Sequence, residues 1–495
     1  MISTCQSDVS PRPFALRPVL LLAGVAVLVL LAVAGRYGYH RDELYFLVAG
    51  DHLDWGYVDQ PVFTPLIARL ADTLAPGSIV ALRVIPALAT GFTVVTGALL
   101  ARELGASRRG QVLAAGAMAG SGFVLGVGHL LSTATFDLLA WMVTLWLVAR
   151  LLRSGNTRLW WVIGGVAGLA LLNKHLIVLL GVAVAVGLLA ERRFDVLRSR
   201  HLVGGGLLTL ALAAPNLTWQ ARNGWPQFDM AEALAERLAV ENRVTLLPLQ
   251  LLFVGPLLVF LLVRGARWLA QPEARRFRPL LWAWPVGLAV AFVTAGRPYY
   301  VLPLTITVLL AGIVASESRP DGGRRLGWWV AASAVTSMPL ALPLLPVARL
   351  SDGPAALANE AVVETVGWPE LAEQVAGVVA SLPDEERDDV VLLTGTYGEA
   401  GALERFGADH GLPAPFSPHN HYAYFRRPIN DGSTVVAVRF SPGGKLDPWF
   451  KSCEVVDHVD NGLGVANEVQ GQPIMVCRGL LGTWDEVWPQ LRFLS

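Results

Sequence analysis

Acidic and aromatic side chains alternate in one short stretch of the chain, Tyr39–Pro61. It reads YHRDELYFLVAGDHLDWGYVDQP and contains five acids and five rings: Asp42, Glu43, Asp51, Asp54, Asp59, Tyr39, Tyr45, Phe46, Trp55 and Tyr57. A connection between two apolar helices requires neither group. A carboxylate can act as a general base, and aromatic rings suit the flat faces of a sugar. The stretch therefore predicts a site that handles a sugar, with Asp42 as the leading candidate.

Simpler explanations exist for two of these acids. Leu44–Ala49 has a helical pattern, so Asp42 or Glu43 could cap that helix at its N-terminus. Glu43 could also hold the loop through Arg36 or Arg41. Neither explanation accounts for Asp51, Asp54 and Asp59 with the neighbouring rings.

Further ionisable residues interrupt the apolar runs that follow. Asp137 closes the segment HLLSTATFD that begins at His129, at the end of an apolar helix. Charges at membrane depth usually face a cavity or a partner. The alternative is a helix cap shared with Ser132–Thr135. His129 and Asp137 provide two metal ligands, and two ligands alone do not define a metal site.

Two cationic segments complete the candidate site. Lys174, in the sequence Asn-Lys-His that ends at His175, is the only lysine before Lys445. Arg297 lies in GRPYY, just before Tyr299 and Tyr300. Either cation would suit a phosphate group. The alternatives are a lysine that reaches the interface from a turn and an aromatic belt that explains the tyrosines.

Composition identifies a membrane protein. Hydrophobic residues make up 54% of the 495 residues, charged residues 16%, and the mean hydropathy is +0.49. Soluble domains carry about 25% charged residues. The formal net charge of zero argues against a nucleic-acid partner. Walker, dinucleotide-binding and HExxH motifs are missing from the sequence.

The apolar runs predict about eleven transmembrane helices, because a bilayer core needs about 20 apolar residues per span. Pro18–Ala34 is interpreted as the first span and not as a cleaved signal. The predicted spans are 18–34, 80–101, 111–128, 135–152, 159–172, 175–190, 202–216, 246–264, 279–295, 299–315 and 327–347.

Arginines collect on alternate connections between these spans, for example Arg108 and Arg109 in one and Arg153 and Arg158 in the next but one. The positive-inside rule then places the N-terminus, with Cys5, in the cytoplasm. It places Tyr39–Pro61, Asp137, Lys174 and Arg297 together on the outer side of the cell membrane. An odd number of spans leaves the C-terminus outside as well.

The composition changes after Leu350, where charged residues return. We predict a membrane domain over residues 1–350 and a small extracytoplasmic α/β domain over 351–495, with strands at Val390–Leu393, Thr434–Phe440 and Ile474–Cys477 and a helix at Glu399–Phe406. A disulfide between Cys453 and Cys477 is chemically permitted there and is left open. The run from His419 to Tyr422 lacks a third metal ligand and is predicted to be a polar loop.

An ordered set of motifs resembles a known family. RDELYFLVAGDHLDWGYVDQP, GHLLSTATFD, LLNKH, PNLTWQARNGWP and GRPYYVLP cover the membrane half, and LTGTYGEAGAL and GVANEVQGQPIMVCRG extend into the tail. The chain is similar to the bacterial polytopic glycosyltransferases of the superfamily that holds the protein O-mannosyltransferases and aminoarabinose transferases.

The resemblance implies a polytopic α-helical membrane protein of the GT-C type, with a cavity near the outer leaflet. Its donor would be a polyprenyl-phosphate monosaccharide, and the acceptor a glycan, lipid or protein. Asp42 would be the catalytic base, and Asp137 matches a second acidic position of the family. Glu43 is a further catalytic candidate, and Lys174 and Arg297 are the candidates for binding the donor phosphate. The candidates for sugar or acceptor binding are His129, Asp59, Gln60, His175, Tyr299 and Tyr300.

The resemblance also implies inversion at C1 of the sugar. It names no cofactor, and whether a divalent metal binds is left open. A secondary transporter and a non-catalytic protein of the same fold are the alternatives. Transporters usually contain paired repeats with broken helices near the membrane midplane. This sequence has no convincing internal repeat, and its polar residues gather at one face instead of the midplane.

Overall fold

The computed structural model describes residues 12–317, 322–350 and 360–495. The predicted placement of Cys5 and the predicted domain boundary at 350/351 involve residues outside these ranges. Helices dominate up to Leu350, and a small sheet appears only after it. We refer to residues 360–495 as the C-terminal segment.

Every predicted apolar run coincides with one or more helices. In chain order the helices before the C-terminal segment are α1 Leu16–Val33, α2 Arg41–Asp51, α3 Phe63–Leu74, α4 Ile79–Glu103, α5 Arg108–Ala119, α6 Gly122–His129, α7 Thr133–Ser154, α8 Leu159–Leu171, α9 Ile177–Ala190, α10 Phe194–Leu197, α11 Arg200–Arg222, α12 Pro226–Phe253, α13 Phe260–Ala270, α14 Arg278–Val293, α15 Leu302–Glu317 and α16 Gly322–Ala341.

Among the described residues, five helical segments are long and apolar enough to cross a membrane: Leu16–Val33, Ile79–Glu103, Thr133–Ser154, Arg200–Arg222 and Pro298–Glu317. Two bent helix pairs raise this number to seven. The helices α8 and α9 are apolar but shorter. The chain is thus a multi-pass membrane protein by length and composition, and the count of eleven spans stays a prediction.

The two bends have local causes. Between α5 and α6 the axis turns by 54°, where the Ser121 hydroxyl accepts a hydrogen bond from the Val124 amide and so starts a new helix. After α12 the axis turns by 81°. Gly255 has a φ of 95° there, and Pro256 follows it, so the helix cannot continue.

The stretch Tyr39–Pro61 contains the predicted helix as α2. His40 is its N-cap: its Nδ1 accepts from the Asp42 amide at 3.1 Å, and Glu43 Oε2 accepts from the His40 amide at 2.9 Å. The capping alternative is therefore correct for Glu43. Asp42 has no part in the cap except through its backbone.

The C-terminal segment contains helices α17 Glu360–Val363, α18 Trp368–Ala380, α19 Asp384–Arg387, α20 Tyr397–Phe406, α21 Tyr422–Phe425 and α22 Trp484–Leu491, and strands β1 Val391–Thr394, β2 Val435–Val438, β3 Phe450–His458 and β4 Pro473–Leu480. The strand order is β1-β2-β4-β3, with β1 and β2 parallel and the other pairs antiparallel. Cys453 and Cys477 are register partners on β3 and β4 and form a disulfide.

Apolar burial joins the C-terminal segment to the loop after α1. Leu44 and Tyr45 of α2 share one buried cluster with Trp368 and Leu371 of α18 and Leu403 of α20. A second and larger cluster fills the space between the long apolar helices. The contact that matters for the site is therefore α20 against α2.

Candidate active site

Asp42 is the open carboxylate of the first loop. It lies in the first turn of α2, and its Oδ1 accepts a hydrogen bond from the Tyr397 hydroxyl at 2.7 Å. His40 Nδ1 is 3.9 Å from Oδ2, and Arg41 Nε is 3.8 Å from Oδ1. Although the C-terminal segment covers it, 38% of the Asp42 side chain is exposed. The carboxylate therefore lies, partly exposed, where the C-terminal segment meets α2, and we call the space next to Asp42 the cleft.

Opposing effects act on the protonation of Asp42. Burial raises the pKa of the Asp42 carboxyl. The electrostatic effects of His40 and Arg41 and the hydrogen bond from Tyr397 lower this pKa by a larger amount, so the net pKa is below the usual value. Asp42 is thus ionised at neutral pH and can accept a proton.

Glu43, the next residue, is closed to any ligand. Arg83 donates from Nε to Oε1 at 3.0 Å and from Nη2 to Oε2 at 2.7 Å, and the Leu131 amide donates to Oε1 at 2.9 Å. Both side chains of this pair are buried, at 0% and 1% exposure.

The suggested partners of Glu43, Arg36 and Arg41, are wrong. Arg36 instead donates to the carbonyls of Pro343 and Leu344, and Arg41 pairs with Glu468 at 2.6 Å. Glu43 fixes the entry of α2 against α4, so its geometry favours a positioning role over the predicted catalytic one.

Lys174 and the two tyrosines of the last connection come together. Lys174 Nζ donates to the Tyr299 hydroxyl at 3.2 Å and lies 4.7 Å from the centroid of the Tyr300 ring. The preceding residue pins the turn, since the Asn173 amide contacts Thr64 Oγ1 at 2.8 Å and the Thr133 carbonyl at 2.9 Å.

Arg297 is the second cation. Its side chain is exposed, and it forms no hydrogen bond or ion pair with any residue of the described ranges. Its charge acts on Asp42 and Tyr397, so it faces the same cleft. Arg297 and Lys174 both act electrostatically on Tyr299 and Tyr300. A guanidinium without an ion pair to the described residues provides a binding position for an anion.

Asp137 lies in the first turns of α7, buried at 5% exposure. The capping role belongs to Ser132, whose hydroxyl accepts from the Ala134 amide at 3.1 Å. Asp137 Oδ1 has no hydrogen-bond partner within the described chain, and the charge of Lys174 acts on the carboxyl. A group in this position can orient the lysine.

Asp59 is a second carboxylate beside Asp42. Its Oδ1 accepts from the Tyr45 hydroxyl at 2.9 Å. Burial raises the pKa of Asp59 to about 7, and the nearby Asp42 charge adds to the shift. Asp59 thus exchanges a proton near neutral pH, unlike Asp42.

The other predicted residues lie in three places. His175 Nε2 contacts Asn216 Oδ1 at 2.9 Å, and Gln60 is buried with an Nε2 that bonds to nothing in the described structure. His129, 4% exposed, lies behind the site, where the charges of Arg83 and Glu43 act on it. No three His, Cys, Asp or Glu side chains of the described ranges come together to hold a metal.

Residues of the C-terminal segment reach the site, and sequence reasoning did not place them there. Tyr397 contacts Asp42, and His419 stacks on Tyr397 with ring centroids 4.9 Å apart. The predicted polar loop at His419 is therefore buried. One sequence signal was available: Thr396-Tyr-Gly-Glu399 has the spacing of a capping box, which marks the start of α20.

Comparisons with known proteins concern the overall fold and one part of the membrane half. Residues 59–219 match the family model described as dolichyl-phosphate-mannose-protein mannosyltransferase. No curated protein sequence matches the chain. The family match covers about a third of the chain, and the structural similarity reported next concerns the fold.

Two solved structures of ArnT from Cupriavidus metallidurans share the fold. The one bound to undecaprenyl phosphate aligns with a TM-score of 0.60 at 17% identity and covers 93% of this chain and 97% of that protein. The apo structure aligns with a TM-score of 0.57 at 15% identity over the same shares. The alignment includes both the helical part and most of the C-terminal segment.

Proposed function

We propose that the protein is a glycosyltransferase that moves a monosaccharide from a polyprenyl-phosphate donor to a hydroxyl of an acceptor. One observation carries the proposal. The partly exposed carboxylate of Asp42 and the guanidinium of Arg297, which forms no ion pair with the described residues, act on each other at the same cleft. The ArnT structure bound to undecaprenyl phosphate supports the lipid donor.

The arrangement provides a base for the acceptor hydroxyl and positive charge for the leaving phosphate. Asp42 takes the proton of the acceptor hydroxyl as its oxygen bonds to C1 of the sugar. The bond between C1 and the phosphate oxygen breaks, and the phosphate leaves with an additional negative charge. Arg297 and Lys174 stabilise that charge. Attack on the face opposite the phosphate inverts C1.

Supporting residues keep these groups in place. The Glu43–Arg83 pair anchors the start of α2, and Asp137 acts on Lys174. Tyr299, Tyr300, Asp59, Gln60 and His175 are proposed to form the walls of the sugar and acceptor site. His129 is proposed to pack behind the site, given its burial.

The topology belongs to the same proposal. The arginine distribution supports a cleft and a C-terminal segment outside the cell membrane and an N-terminus in the cytoplasm. A reporter fused after Ser351 should then report an external position. A cytoplasmic signal would overturn the orientation.

The test is a transfer assay with the purified full chain. Polyprenyl-phosphate hexoses and pentoses are offered with candidate acceptors, and released polyprenyl phosphate is measured together with the anomeric configuration of the product. Asp51→Asn is a suitable active control, because Asp51 belongs to the same loop but pairs with Arg69 at the surface. Release with one donor class and inversion supports the proposal; sugar uptake into vesicles without transfer would favour a transporter.

A further inference from the structure

Tyr397 joins the C-terminal segment to the carboxylate of the first loop. Its hydroxyl donates to Asp42 Oδ1 at 2.7 Å across 355 positions of sequence. Oδ2 of Asp42 accepts no hydrogen bond from the described residues, with His40 Nδ1 3.9 Å away. One carboxylate oxygen is thus held, and the other is free of hydrogen bonds to the described residues.

The position of Tyr397 is fixed by the start of its helix and by the rings on either side of its own ring. Thr396 and Glu399 form a capping box, so Tyr397 is the first residue of α20. Its ring lies between Tyr45, with centroids 4.8 Å apart, and His419, with the two rings 6° from parallel. His419 in turn accepts from the Tyr397 amide at 3.3 Å and contacts Ser495 Oγ at 2.7 Å.

Helix α20 approaches α2 closely because two glycines face it. A Cβ on Gly401 would lie 2.9 Å from Leu44 Cβ and 3.1 Å from the Leu44 carbonyl carbon, and one on Gly398 would lie 3.1 Å from Arg41 Cβ. Larger residues would push the helix, and with it the Tyr397 hydroxyl, away from Asp42.

A chain of ion pairs secures the same contact. Arg41 of α2 binds Glu468 at 2.6 Å, Glu468 binds Arg439 at 2.8 Å, and Arg439 binds the capping residue Glu399 at 2.9 Å. Several charges linked in a network hold their geometry better than an isolated surface pair. The network thus connects the residue before Asp42 to the residue that fixes Tyr397.

We infer that Tyr397 is a positioning residue of the active site, which orients Asp42 and tunes its basicity, and that the C-terminal segment is therefore part of the catalytic centre. This inference depends on the proposed role of Asp42 as the base. It assigns the C-terminal segment a function in the chemical step in addition to any role in acceptor choice.

The hydroxyl acts on the charged form of Asp42. A hydrogen bond donated to a carboxylate stabilises the ionised state, so its loss raises the pKa of the group. The charged and titratable groups facing Asp42 are His40 and Arg41 on α2, Arg297 after α14, Asp59 before α3 and Tyr397 itself. Only the last is changed by Tyr397→Phe, which keeps the stacked ring.

The experiment compares the pH profiles of kcat/KM for wild type and Tyr397→Phe in the full chain. The apparent pKa of the acid limb should be higher in the variant by about 0.5 to 1 pH unit, which is the change expected when a carboxylate loses one hydrogen bond. At neutral pH, kcat should fall roughly tenfold with the KM for the donor unchanged. The control is Tyr424→Phe, which removes a hydroxyl from the same segment. Tyr424 stacks on His421 and has no contact with Asp42 among the described residues, so this variant should leave the profile unchanged.

The outcomes separate this inference from the proposed function. If wild type transfers sugar and the limb of Tyr397→Phe does not move, the positioning role is wrong while the function stands. If wild type transfers nothing from any lipid-linked donor, the function itself fails. Should Tyr397→Phe not fold, Gly401→Ala displaces the same hydroxyl and must shift the limb in the same direction; an unshifted limb there also overturns the inference.

Discussion

Asp42 and Glu43 are adjacent residues of α2 in opposite environments. Glu43 is 0% exposed and accepts from Arg83, His40 and Leu131, so all its bonding capacity serves the fold. Asp42 keeps 38% of its side chain exposed, and among the described residues only one of its oxygens accepts a hydrogen bond. A buried ion pair without access is structural, and a carboxylate held on one side and open on the other is available for chemistry.

The comparison extends to the cations. Arg83 is enclosed with Glu43, whereas Arg297 faces the cleft without a bond to the described part of the protein. Arg83 is thus paired with Glu43, and Arg297, which acts on Asp42, is the residue proposed to bind a ligand. Variants on the two sides should separate into loss of folding and loss of activity.

The largest effect is expected on the closed side. Arg83→Met leaves the Glu43 charge buried and unpaired, which should lower the free energy of unfolding by about 3–5 kcal/mol. Thermal unfolding of the detergent-solubilised protein measures the loss. The double variant Glu43→Gln/Arg83→Met removes both charges and should recover part of it. A melting temperature of Arg83→Met equal to wild type would falsify the structural role.

A smaller effect is expected on the open side. Arg297→Ala should leave the melting temperature unchanged, because its side chain bonds to no described residue. It should lower kcat/KM for the lipid-linked donor about 10- to 100-fold, as expected for a lost charge-assisted contact. Arg243→Ala, which removes an exposed arginine bonded to the Phe292 carbonyl, is the matched control. Equal losses in both variants would exclude a specific phosphate contact.

The stability of the protein should depend on pH through Asp59, a carboxylate that is less enclosed than Glu43 and, unlike Asp42, has a raised pKa. Burial raises its pKa to about 7, so the folded protein keeps a proton that the unfolded chain releases above about pH 4. Stability should therefore fall as pH rises from 4 to 7. Asp59→Asn should remove this contribution and melt a few degrees above wild type at pH 8 but not at pH 4. A difference that does not depend on pH would contradict the assignment.

The smallest effect is expected at Asp51, the acid of the same loop that pairs with Arg69 at the surface. The two side chains are 58% and 49% exposed. Arg69→Ala should change the free energy of unfolding by less than about 1 kcal/mol and should leave transfer unchanged. A large loss of activity in this variant would show that the acidic cluster acts as one unit.

Much of the helical part could be predicted, because a membrane span is a local property of about 20 residues. The apolar runs coincide with helices. Arg297 acts electrostatically on Asp42, Lys174 contacts Tyr299, and the roles predicted for these residues stay predictions. The helix at Glu399–Phe406 and three of the four strands were also predicted, and the disulfide left open is formed.

Pairings between distant residues could not be predicted. Arg83 lies 40 positions from Glu43 and Tyr397 lies 355 from Asp42, so no periodicity connects them. Strand β3 was missed because its residues are mostly exposed and polar, as its position at the sheet edge allows. His129 was grouped with Asp137 by sequence spacing, while the packing placed it beside Glu43.

The central claim is that Asp42 takes the proton of the acceptor, and one paired measurement tests it most directly. Asp42→Asn is nearly the same size, so the purified variant should bind the polyprenyl-phosphate donor as wild type does. Its turnover should fall by about 100-fold or more, the usual contribution of a general base. Undiminished turnover with the same donor would contradict the account.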